Sequence, residues 1–507
     1  MDHPSEVRVQ AALRSDQKLV IITAPAGCGK THQASKFVSW RASVDQPSRT
    51  LVLTHTNAAV AVFRDRIKAP RSRVEISTIH GLAIQIASPY HEYLGLPKDL
   101  ASWGNEAQDN FDHITECATR LIDTSSNISG MLATRFPFVI CDEHQDSTKK
   151  QHEFVMSLHR AGSRLRVFTD PMQAIYIDTK GLAEYEERWA SFRASADINE
   201  RLEIPRRWEK GSIALGAWIL KARDSLEAGL PITLPVDLPD GLRVLIAKNV
   251  SPSANGYRLS EEQTTPVRRA MRGPTSQLIL TPRKIMVQAL HAWSGRAAPI
   301  WEGHSRDALS AYAKQCANAI GNPAEIAKAV ATFVQATCVG FTGPLFACLV
   351  EEAQHGCIKN RTKRPAQIQK LASLICDSPN HLGAALALKE LKRLIDQEPN
   401  FRDLKIYYRR EFYDAIRLGE IADITNGLAL LAAQRRLLGG TMPSRAVSTI
   451  HKAKGLECDH AIVIPCDAKE FPDSPQKRRL LYVALSRAVQ SLTLVICPDT
   501  PTTLIQH

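Results

Sequence analysis

A glycine-rich loop near the amino terminus has the residue types that bind a nucleoside triphosphate. Two closely spaced glycines let the backbone curl so that its N–H groups can face phosphate oxygens. The lysine after them can reach the β- and γ-phosphates, and the next hydroxyl can bind Mg²⁺. This spacing predicts a site for ATP and Mg²⁺; a tight turn between a strand and a helix is the alternative, which the Gly-Lys-Thr ending disfavours. The loop consists of Ala24, Pro25, Ala26, Gly27, Cys28, Gly29, Lys30 and Thr31.

Two adjacent carboxylates, Asp142 and Glu143, follow the apolar run Phe138–Cys141. Carboxylates placed beyond a buried strand are costly unless a cation neutralises them. A bound Mg²⁺ would supply that charge, with Asp142 as a metal ligand and Glu143 as the general base that activates water. An exposed acidic turn is the alternative, but the apolar strand before the pair favours the catalytic interpretation.

The elements that must position these groups are short apolar runs, most of them β-branched, that end in polar or glycine-rich turns. Such runs are typical of buried parallel strands, and helical patterns lie between them. This alternation predicts an α/β fold. The predicted strands are Leu19–Thr23, Thr50–Leu53, Phe138–Cys141, Leu165–Phe168, Leu242–Ile246, Gln277–Leu280, His460–Ile464 and Leu492–Ile496.

The strands fall into two groups, which predicts two parallel-sheet domains. Two other stretches have mainly helical patterns, and we expect them to be insertions into these domains. The predicted segments are 1–81 and 137–200 for the first core, 82–136 for its small insertion, 201–303 and 441–507 for the second core, and 304–440 for a helical accessory domain.

Composition limits the class of protein and of partner. Lys and Arg number 64 against 52 acidic residues, a net charge of +12. This favours a polyanionic partner such as nucleic acid, although many soluble proteins are mildly basic without one. The 11 cysteines include no Cys-x-x-Cys pair, which argues against a zinc ribbon, a disulfide framework or a cluster held by paired ligands. The sequence has no signal-peptide pattern and no apolar run of membrane-spanning length, so we expect a soluble cytoplasmic protein without a membrane partner.

Further motifs follow in the order found in superfamily 1 helicases of the UvrD/Rep/PcrA group, and the chain resembles that family. The segment 142–147, Asp-Glu-His-Gln-Asp-Ser, is similar to the family's D-E-F-Q-D-T. The segment 169–176, Thr-Asp-Pro-Met-Gln-Ala-Ile-Tyr, is similar to G-D-x-x-Q-S-I-Y. The resemblance implies two RecA-like cores, a contact of Gln10 with the adenine edge, and a contact of Gln173 with the γ-phosphate.

Motifs that contact single-stranded DNA in this family also have counterparts here. The segment 53–58, Leu-Thr-His-Thr-Asn-Ala, resembles L-T-F-T-N-x-A, and 77–81, Ser-Thr-Ile-His-Gly, resembles T-x-H-S. The segment 449–457, Thr-Ile-His-Lys-Ala-Lys-Gly-Leu-Glu, is close to T-x-H-x-A-K-G-L-E. The resemblance implies that DNA, with single-stranded regions or ends, is bound by Thr54, His55, Thr56, Asn57, Thr78, His80, Tyr176, His451 and Lys454.

The second core supplies residues that would close over the nucleotide. The segment 202–208, Leu-Glu-Ile-Pro-Arg-Arg-Trp, is a degenerate match to L-x-x-N-Y-R-S, and 482–488 is similar to Y-V-A-L-T-R-A. The resemblance implies that Arg207 and Arg487 contact the γ-phosphate and that Glu457 contacts the ribose. Closure on ATP and reopening after hydrolysis would then shift a strand held across both cores. A surface salt bridge is the alternative role for either arginine.

The departures from the family pattern lie on the DNA side. His55 stands where the family has an aromatic residue, and Ile177-Asp178-Thr179 replaces an aromatic and an arginine that grip bases. The segment 475–479 lacks the acidic residues that usually precede the last motif. Since each stacked base contributes about 1–3 kcal/mol, we expect ATP hydrolysis with a weakened grip on the strand.

The sequence leaves three functional hypotheses. The first is an ATP-dependent translocase or helicase on single-stranded DNA, with the 3′→5′ polarity that the resemblance implies. The second is a DNA-sensing ATPase with little unwinding, because the compact layout resembles the helicase-like subunit of the Gabija anti-phage system, which works beside a nuclease subunit. The third is a structural nucleotide-binding protein, against which Lys30, Asp142 and Glu143 argue.

Overall fold

The computed structural model of the protein divides into two units. The first comprises Met1–Ser251, Tyr257–Arg283 and Thr449–His507, and the second comprises Pro252–Gly256 and Lys284–Ser448. The four-part division of the sequence remains a prediction about domains. The structure describes residues 3–44, 48–106, 108–177, 180–248, 251–253, 256–258, 261–273, 276–294, 298–301, 307–438 and 444–506.

Six parallel strands form the main sheet of the first unit: β1 (Leu19–Thr23), β2 (Thr50–Thr54), β3 (Val74–Thr78), β4 (Phe138–Cys141), β5 (Arg164–Thr169) and β6 (Ile198–Arg201). Their order across the sheet is β3-β2-β4-β5-β1-β6. Leu19 and Ile21 belong to one apolar cluster, whereas Val20 and Ile22 belong to another. Because successive side chains point to opposite faces and both faces are buried, the inner strands are continuously apolar.

Helices cover both faces of this sheet. Val9, Phe37 and Phe63 pack on one face from α1 (Pro4–Arg14), α2 (Lys30–Ser43) and α3 (Asn57–Arg66). The helices of the opposite face include those that fill most of 82–136, the segment predicted to be a helical insertion. These helices are α4 (Ile79–Ala87), α5 (Leu100–Glu106), α6 (Gln108–Thr124), α7 (Ser126–Arg135), α8 (Lys149–Arg160) and α9 (Leu182–Ala194).

The second large sheet is also parallel and has five strands. The remaining strands of the chain are β7 (Ile232–Thr233), β8 (Leu242–Ile246), β9 (Ser251–Ser253), β10 (Gly256–Arg258), β11 (Gln277–Thr281), β12 (Cys338–Val339), β13 (Lys405–Ile406), β14 (Arg445–Thr449), β15 (Cys458–Cys466), β16 (Ala488–Ile496) and β17 (Ile505–Gln506). The four strands of the sheet that lie within the first unit run in the order β11-β15-β16-β8. The α/β fold with two large parallel sheets is therefore confirmed.

The second unit is mainly helical. Its core includes Ile326, Leu349, Leu371 and Leu388, and β12 pairs with β13 antiparallel. Most of its helices lie within 307–438, inside the segment predicted to be a helical accessory domain. The helices are α12 (Lys284–Trp293), α13 (Asp307–Asn318), α14 (Pro323–Thr337), α15 (Gly343–Gln354), α16 (Lys363–Asp377), α17 (His381–Gln397), α18 (Arg409–Leu418) and α19 (Ile424–Leu438).

Three further helices belong to the first unit: α10 (Ile213–Glu227), α11 (Glu261–Met271) and α21 (Pro475–Leu485), with the short α20 (Ile450–Ala453) before β15. The 3₁₀ turns are Ser88–Tyr90, His144–Asp146, Pro171–Gln173, Arg206–Lys210 and Pro399–Phe401. Within the described part of the chain, none of the helices combines the length and the apolar character needed to cross a bilayer.

All eight predicted strands are confirmed, and the structure adds further strands that the sequence did not indicate. Among the latter, β3 and β6 are the two edge strands of the first sheet. Their side chains are mostly half-buried, so Glu75, Asn199 and Glu200 are tolerated there. These polar residues interrupt the apolar run by which the inner strands are recognised.

Candidate active site

Four groups of residues predicted to bind nucleotide or DNA lie at the carboxyl edge of the first sheet, because each follows or ends a parallel strand. The phosphate loop follows β1 and the acidic pair follows β4, with β5 between these two strands. His55 follows β2, and Thr78 ends β3. The strand order therefore places the nucleotide candidates and the DNA candidates on opposite sides of the acidic pair.

The phosphate loop turns through two glycines with left-handed backbones. Gly27 has φ 75° and Gly29 has φ 82°, a region that disfavours residues with a Cβ. A Cβ at Gly27 would also lie 2.6 Å from Trp208 Cζ3. Because α2 begins at Lys30, the positive end of its dipole lies at the loop. Ala24, Pro25, Ala26 and Cys28 are buried, whereas Gly27, Gly29, Lys30 and Thr31 are partly exposed.

Lys30 is paired with both carboxylates. It forms an ion pair with Glu143, and its Nζ lies 3.7 Å from Asp142 Oδ1. Burial opposes the charge of Lys30, but Asp142 and Glu143 outweigh it and raise the lysine pKa. Burial also opposes ionisation of Glu143, yet the adjacent Lys30 prevails and lowers the pKa of Glu143 to about 2. For the more distant Asp142, burial prevails and raises the pKa to about 6.

The backbone of Glu143 is held in an unusual conformation. Its φ of 54° and ψ of 36° are left-handed, which costs a residue with a Cβ roughly 1–2 kcal/mol. The amide of Gln145 donates to the Glu143 carboxylate. The carbonyl oxygen of Gln145 accepts from the Asp170 N–H at 3.1 Å and from the Thr169 hydroxyl at 3.2 Å. Gln145 therefore ties Glu143 to the end of β5, a positioning role that the motif comparison alone did not reveal.

Two buried acceptors fit a metal ion and an adenine. Asp142 Oδ1 accepts no hydrogen bond within the described structure, and such an oxygen suits Mg²⁺. The Gln10 amide donates to the carbonyl and side-chain oxygens of Gln33, at 3.2 and 2.7 Å. Its own Oε1 is buried and has no partner in the described ranges, so it can accept from an exocyclic amine.

The two arginines predicted to contact the γ-phosphate are both paired. Arg487 is buried and donates to two backbone carbonyls of the second core, at 2.9 Å each, and to the Ser486 hydroxyl at 2.7 Å. Burial, followed by the charge of Arg207, lowers the pKa of Arg487 to about 10. Arg207 donates to the Ser486 carbonyl at 2.7 Å, and its Nε lies 2.9 Å from the largely exposed Glu457. The Arg207 backbone N–H donates to the Gly27 carbonyl at 2.9 Å, so Arg207 lies at the loop.

Tyr482 is a contact of the phosphate loop that sequence reasoning missed. Its hydroxyl accepts from the Ala26 N–H at 2.8 Å and donates to Asp170 at 3.1 Å. Asp170 also accepts from Gln173 at 3.0 Å and from Arg223 at 2.8 Å. Only the position of the tyrosine, at the start of the motif that contains Arg487, distinguishes it in the sequence from a core tyrosine.

Five of the DNA candidates line one cavity of about 420 Å³. They are His55, Thr56, Asn57, Thr78 and His80. The cavity also includes Phe111, on which the His80 ring stacks with centroids 4.8 Å apart; no motif pointed to this residue of α6. Thr54 is buried, and its hydroxyl donates to the Thr56 carbonyl at 3.1 Å.

The remaining DNA candidates form a second cluster. The Tyr176 hydroxyl donates to the His451 carbonyl at 3.3 Å, and Lys454 Nζ lies 4.9 Å from the centre of the Tyr176 ring. Lys454 also donates to Asp146 at 2.6 Å, so its charge is already compensated. Tyr176 is 62% exposed. Asp178 and Thr179, two of the three departures after Tyr176, lie outside the described residues.

A chain of polar side chains leads inward from the first cavity. The Ser147 hydroxyl lies 3.3 Å from His55 Nε2 and 3.1 Å from His144 Nδ1, and His144 Nε2 lies 3.0 Å from His152 Nδ1. Burial lowers the pKa of His55 and His152 to about 4 each, and that of His144 well below its usual value. All three rings are therefore neutral near pH 7.

Comparison with known families agrees with this geometry. Residues 9–179 match an AAA domain, and residues 445–495 match the UvrD-like helicase C-terminal domain. The two matches support a place in the UvrD/Rep-like helicase superfamily and suggest an ATP-dependent helicase or translocase. They imply nucleotide binding, usually with Mg²⁺, and helicases of the matched kind act on DNA. A search of curated proteins finds no relative that matches the chain.

Proposed function

We propose that the protein is an ATP-driven translocase on single-stranded DNA, with Glu143 as the general base. The observation that carries the proposal is the ion pair of Glu143 with Lys30 of the phosphate loop, beside the Asp142 oxygen that accepts no hydrogen bond within the described structure. A carboxylate beside a phosphate-binding lysine lies where a water that attacks the γ-phosphate must approach, so its position suits a general base. The matched helicase domains support DNA as the track along which hydrolysis drives movement.

Each part of the nucleotide has a candidate contact in this proposal. The loop 24–31 cradles the phosphates, with Lys30 at the β- and γ-phosphates. Gln10 accepts from adenine, Glu457 contacts the ribose, and Gln173 contacts the γ-phosphate. Thr31 and Asp142 hold Mg²⁺, which neutralises phosphate charge when bound. Glu143 orients water and accepts its proton.

The two arginines supply the coupling between cores. In the structure Arg207 is neutralised by Glu457, and Arg487 is satisfied by carbonyls of its own core. The γ-phosphate of ATP offers a stronger acceptor, so we propose that both guanidinium groups move onto it and close the cleft. After hydrolysis the γ-phosphate is no longer held in place. Arg207 then returns to Glu457 and Arg487 to the backbone carbonyls, and the cores separate.

The strand is proposed to cross the carboxyl edge of the first sheet toward the second core. The 3′→5′ direction rests on the resemblance to the UvrD/Rep/PcrA group. The proposed contacts are Thr54, His55, Thr56, Asn57, Thr78 and His80 on the first core, followed by Tyr176, His451 and Lys454.

Displacement of streptavidin from end-biotinylated oligonucleotides tests both movement and direction. A 3′→5′ motor moves toward the 5′ end, so we expect ATP-dependent displacement from 5′-biotin and none from 3′-biotin. Glu143→Gln should abolish displacement, whereas Glu153→Gln, an exposed glutamate on α8, should behave as the wild type. Displacement that persists in Glu143→Gln, or that requires no ATP, contradicts the proposal.

One observation favours a second candidate, a DNA-sensing ATPase that works with a nuclease subunit and unwinds little. His55 replaces a stacking aromatic of the family, and its ring is hydrogen-bonded to Ser147. Fewer stacking platforms weaken the grip that processive movement needs. Hydrolysis that is stimulated by DNA, but without displacement from either end, would support this candidate over the motor.

A further inference from the structure

The two histidines that line the 420 Å³ cavity, His55 and His80, are hydrogen-bonded to one short segment, Ser147–Gln151. This segment begins four residues after Glu143. His55 reaches the Ser147 hydroxyl at 3.3 Å. The Gln151 amide donates to His80 Nε2 at 3.0 Å. The two histidines come from the ends of different strands, so their convergence on this segment is a property of the fold.

The segment is rigidly joined to the acidic pair. The 3₁₀ turn His144–Asp146 connects them, with hydrogen bonds from the Asp146 N–H to the Glu143 carbonyl at 2.9 Å and from the Ser147 N–H to the His144 carbonyl at 3.1 Å. At its other end, Gln151 completes a capping box with Thr148 that fixes the start of α8. A displacement of Ser147 must therefore be passed to the turn that holds the left-handed backbone of Glu143.

The Ser147 hydroxyl is the link on which the deeper half of the chain depends. A neutral imidazole has one donor and one acceptor nitrogen, and a hydroxyl has one hydrogen to donate. Ser147 can therefore donate to only one of the two rings. When His55 Nε2 is the acceptor, Ser147 donates to it and accepts from His144 Nδ1, and His144 Nε2 in turn accepts from His152 Nδ1. A strand phosphate or base that leaves the hydrogen of His55 on Nδ1 thus fixes the direction of every bond in the chain.

We propose that Ser147 is a positioning residue that transmits occupancy of the DNA cavity to the general base Glu143. The inference rests on the proposed function, because it assumes that single-stranded DNA occupies the cavity and that Glu143 activates water. In this account Ser147 touches neither DNA nor nucleotide. It holds the turn after the acidic pair in the geometry that bound DNA selects.

The test compares ATP hydrolysis with and without a deoxythymidine oligonucleotide in the full chain. Ser147→Ala removes the link, and we expect the stimulation by DNA to fall at least about fivefold, with the oligonucleotide Kd and the KM for ATP unchanged. Ser147→Thr keeps a hydroxyl and should restore stimulation. Ser157→Ala is the matched control, since it removes a buried hydroxyl of α8 that bonds only to the Phe154 carbonyl in the described contacts.

Several results would overturn the inference. Stimulation of Ser147→Ala equal to that of the wild type, or a parallel loss of oligonucleotide affinity, refutes a positioning role. Failure of Ser147→Thr to restore stimulation does so as well. If Ser147→Ala does not fold, Gln151→Met breaks the His80 link instead and must lower stimulation. A wild type without DNA stimulation refutes the proposed function along with the inference, which separates that failure from the others.

Discussion

Replacing Arg223 by methionine is predicted to destabilise the protein by about 3–5 kcal/mol. Arg223 and Asp170 have no exposed side-chain surface. The guanidinium donates from Nε at 3.1 Å and from Nη2 at 2.8 Å to the same carboxylate oxygen. Methionine fills much of the volume but leaves a buried carboxylate whose remaining donors include Tyr482 and Gln173.

The expected loss of stability distinguishes the buried Arg223–Asp170 pair from an exposed ion pair nearby. Arg201 pairs with Asp224 at the surface, where the two side chains are 36% and 49% exposed. Such pairs contribute about 0–1 kcal/mol, so Arg201→Met serves as the control. The double variant Arg223→Met/Asp170→Asn removes both buried charges, and it should be less destabilised than the sum of the two single variants.

Urea denaturation followed by far-UV circular dichroism gives the free energy of unfolding for each variant. A loss of stability in Arg223→Met no greater than that in Arg201→Met would contradict the role of the buried pair. So would a double variant that loses the full sum of the single losses, since the buried ion pair would then contribute nothing specific.

Three further predictions concern nucleotide, metal and pH. Gln10→Ala removes the buried acceptor for adenine, so we expect the preference for ATP over GTP in kcat/KM to fall about tenfold; an unchanged preference would exclude this role. Because burial raises the pKa of Asp142 to about 6, Mg²⁺ must displace a proton at lower pH, and half-maximal activation at pH 5 should need about ten times more Mg²⁺ than at pH 7. The folded-state pKa of His152 is lowered to about 4, so between pH 6.5 and 4 the unfolded chain binds the extra proton. Stability should therefore fall with decreasing pH by up to about 1.4 kcal/mol per unit from this group, and His152→Gln should reduce that slope in urea titrations.

The inner strands could be predicted from sequence because burial on both faces demands continuous apolar runs. The edge strand β3 could not, since its half-exposed side chains permit Glu75. The convergence of the phosphate loop with Asp142 was also predictable in outline, because parallel strands bring their carboxyl ends to one edge. The strand register and the side-chain directions could not be predicted. The left-handed backbone of Glu143 and the hydrogen bond that its carboxylate accepts from Gln145 are therefore seen only in the structure.

Contacts between distant segments were the least predictable part of the site. Family motifs indicate that Arg487 serves the nucleotide, but they do not show that carbonyls of its own core hold it here. Likewise, nothing local marks Tyr482 as the partner of the Ala26 N–H, 456 residues away in sequence. The contact of Tyr482 with Ala26 depends on how the two sheets pack, and hydrophobic periodicity carries no information about that packing.

Steady-state ATP hydrolysis with and without single-stranded DNA, in the wild type and in Glu143→Gln, measures whether Glu143 is the general base of a DNA-driven motor. If it is, DNA stimulates turnover strongly in the wild type, and the variant loses turnover but retains its affinity for ATP. Hydrolysis that persists in Glu143→Gln, or that is indifferent to DNA in the wild type, would contradict this proposal.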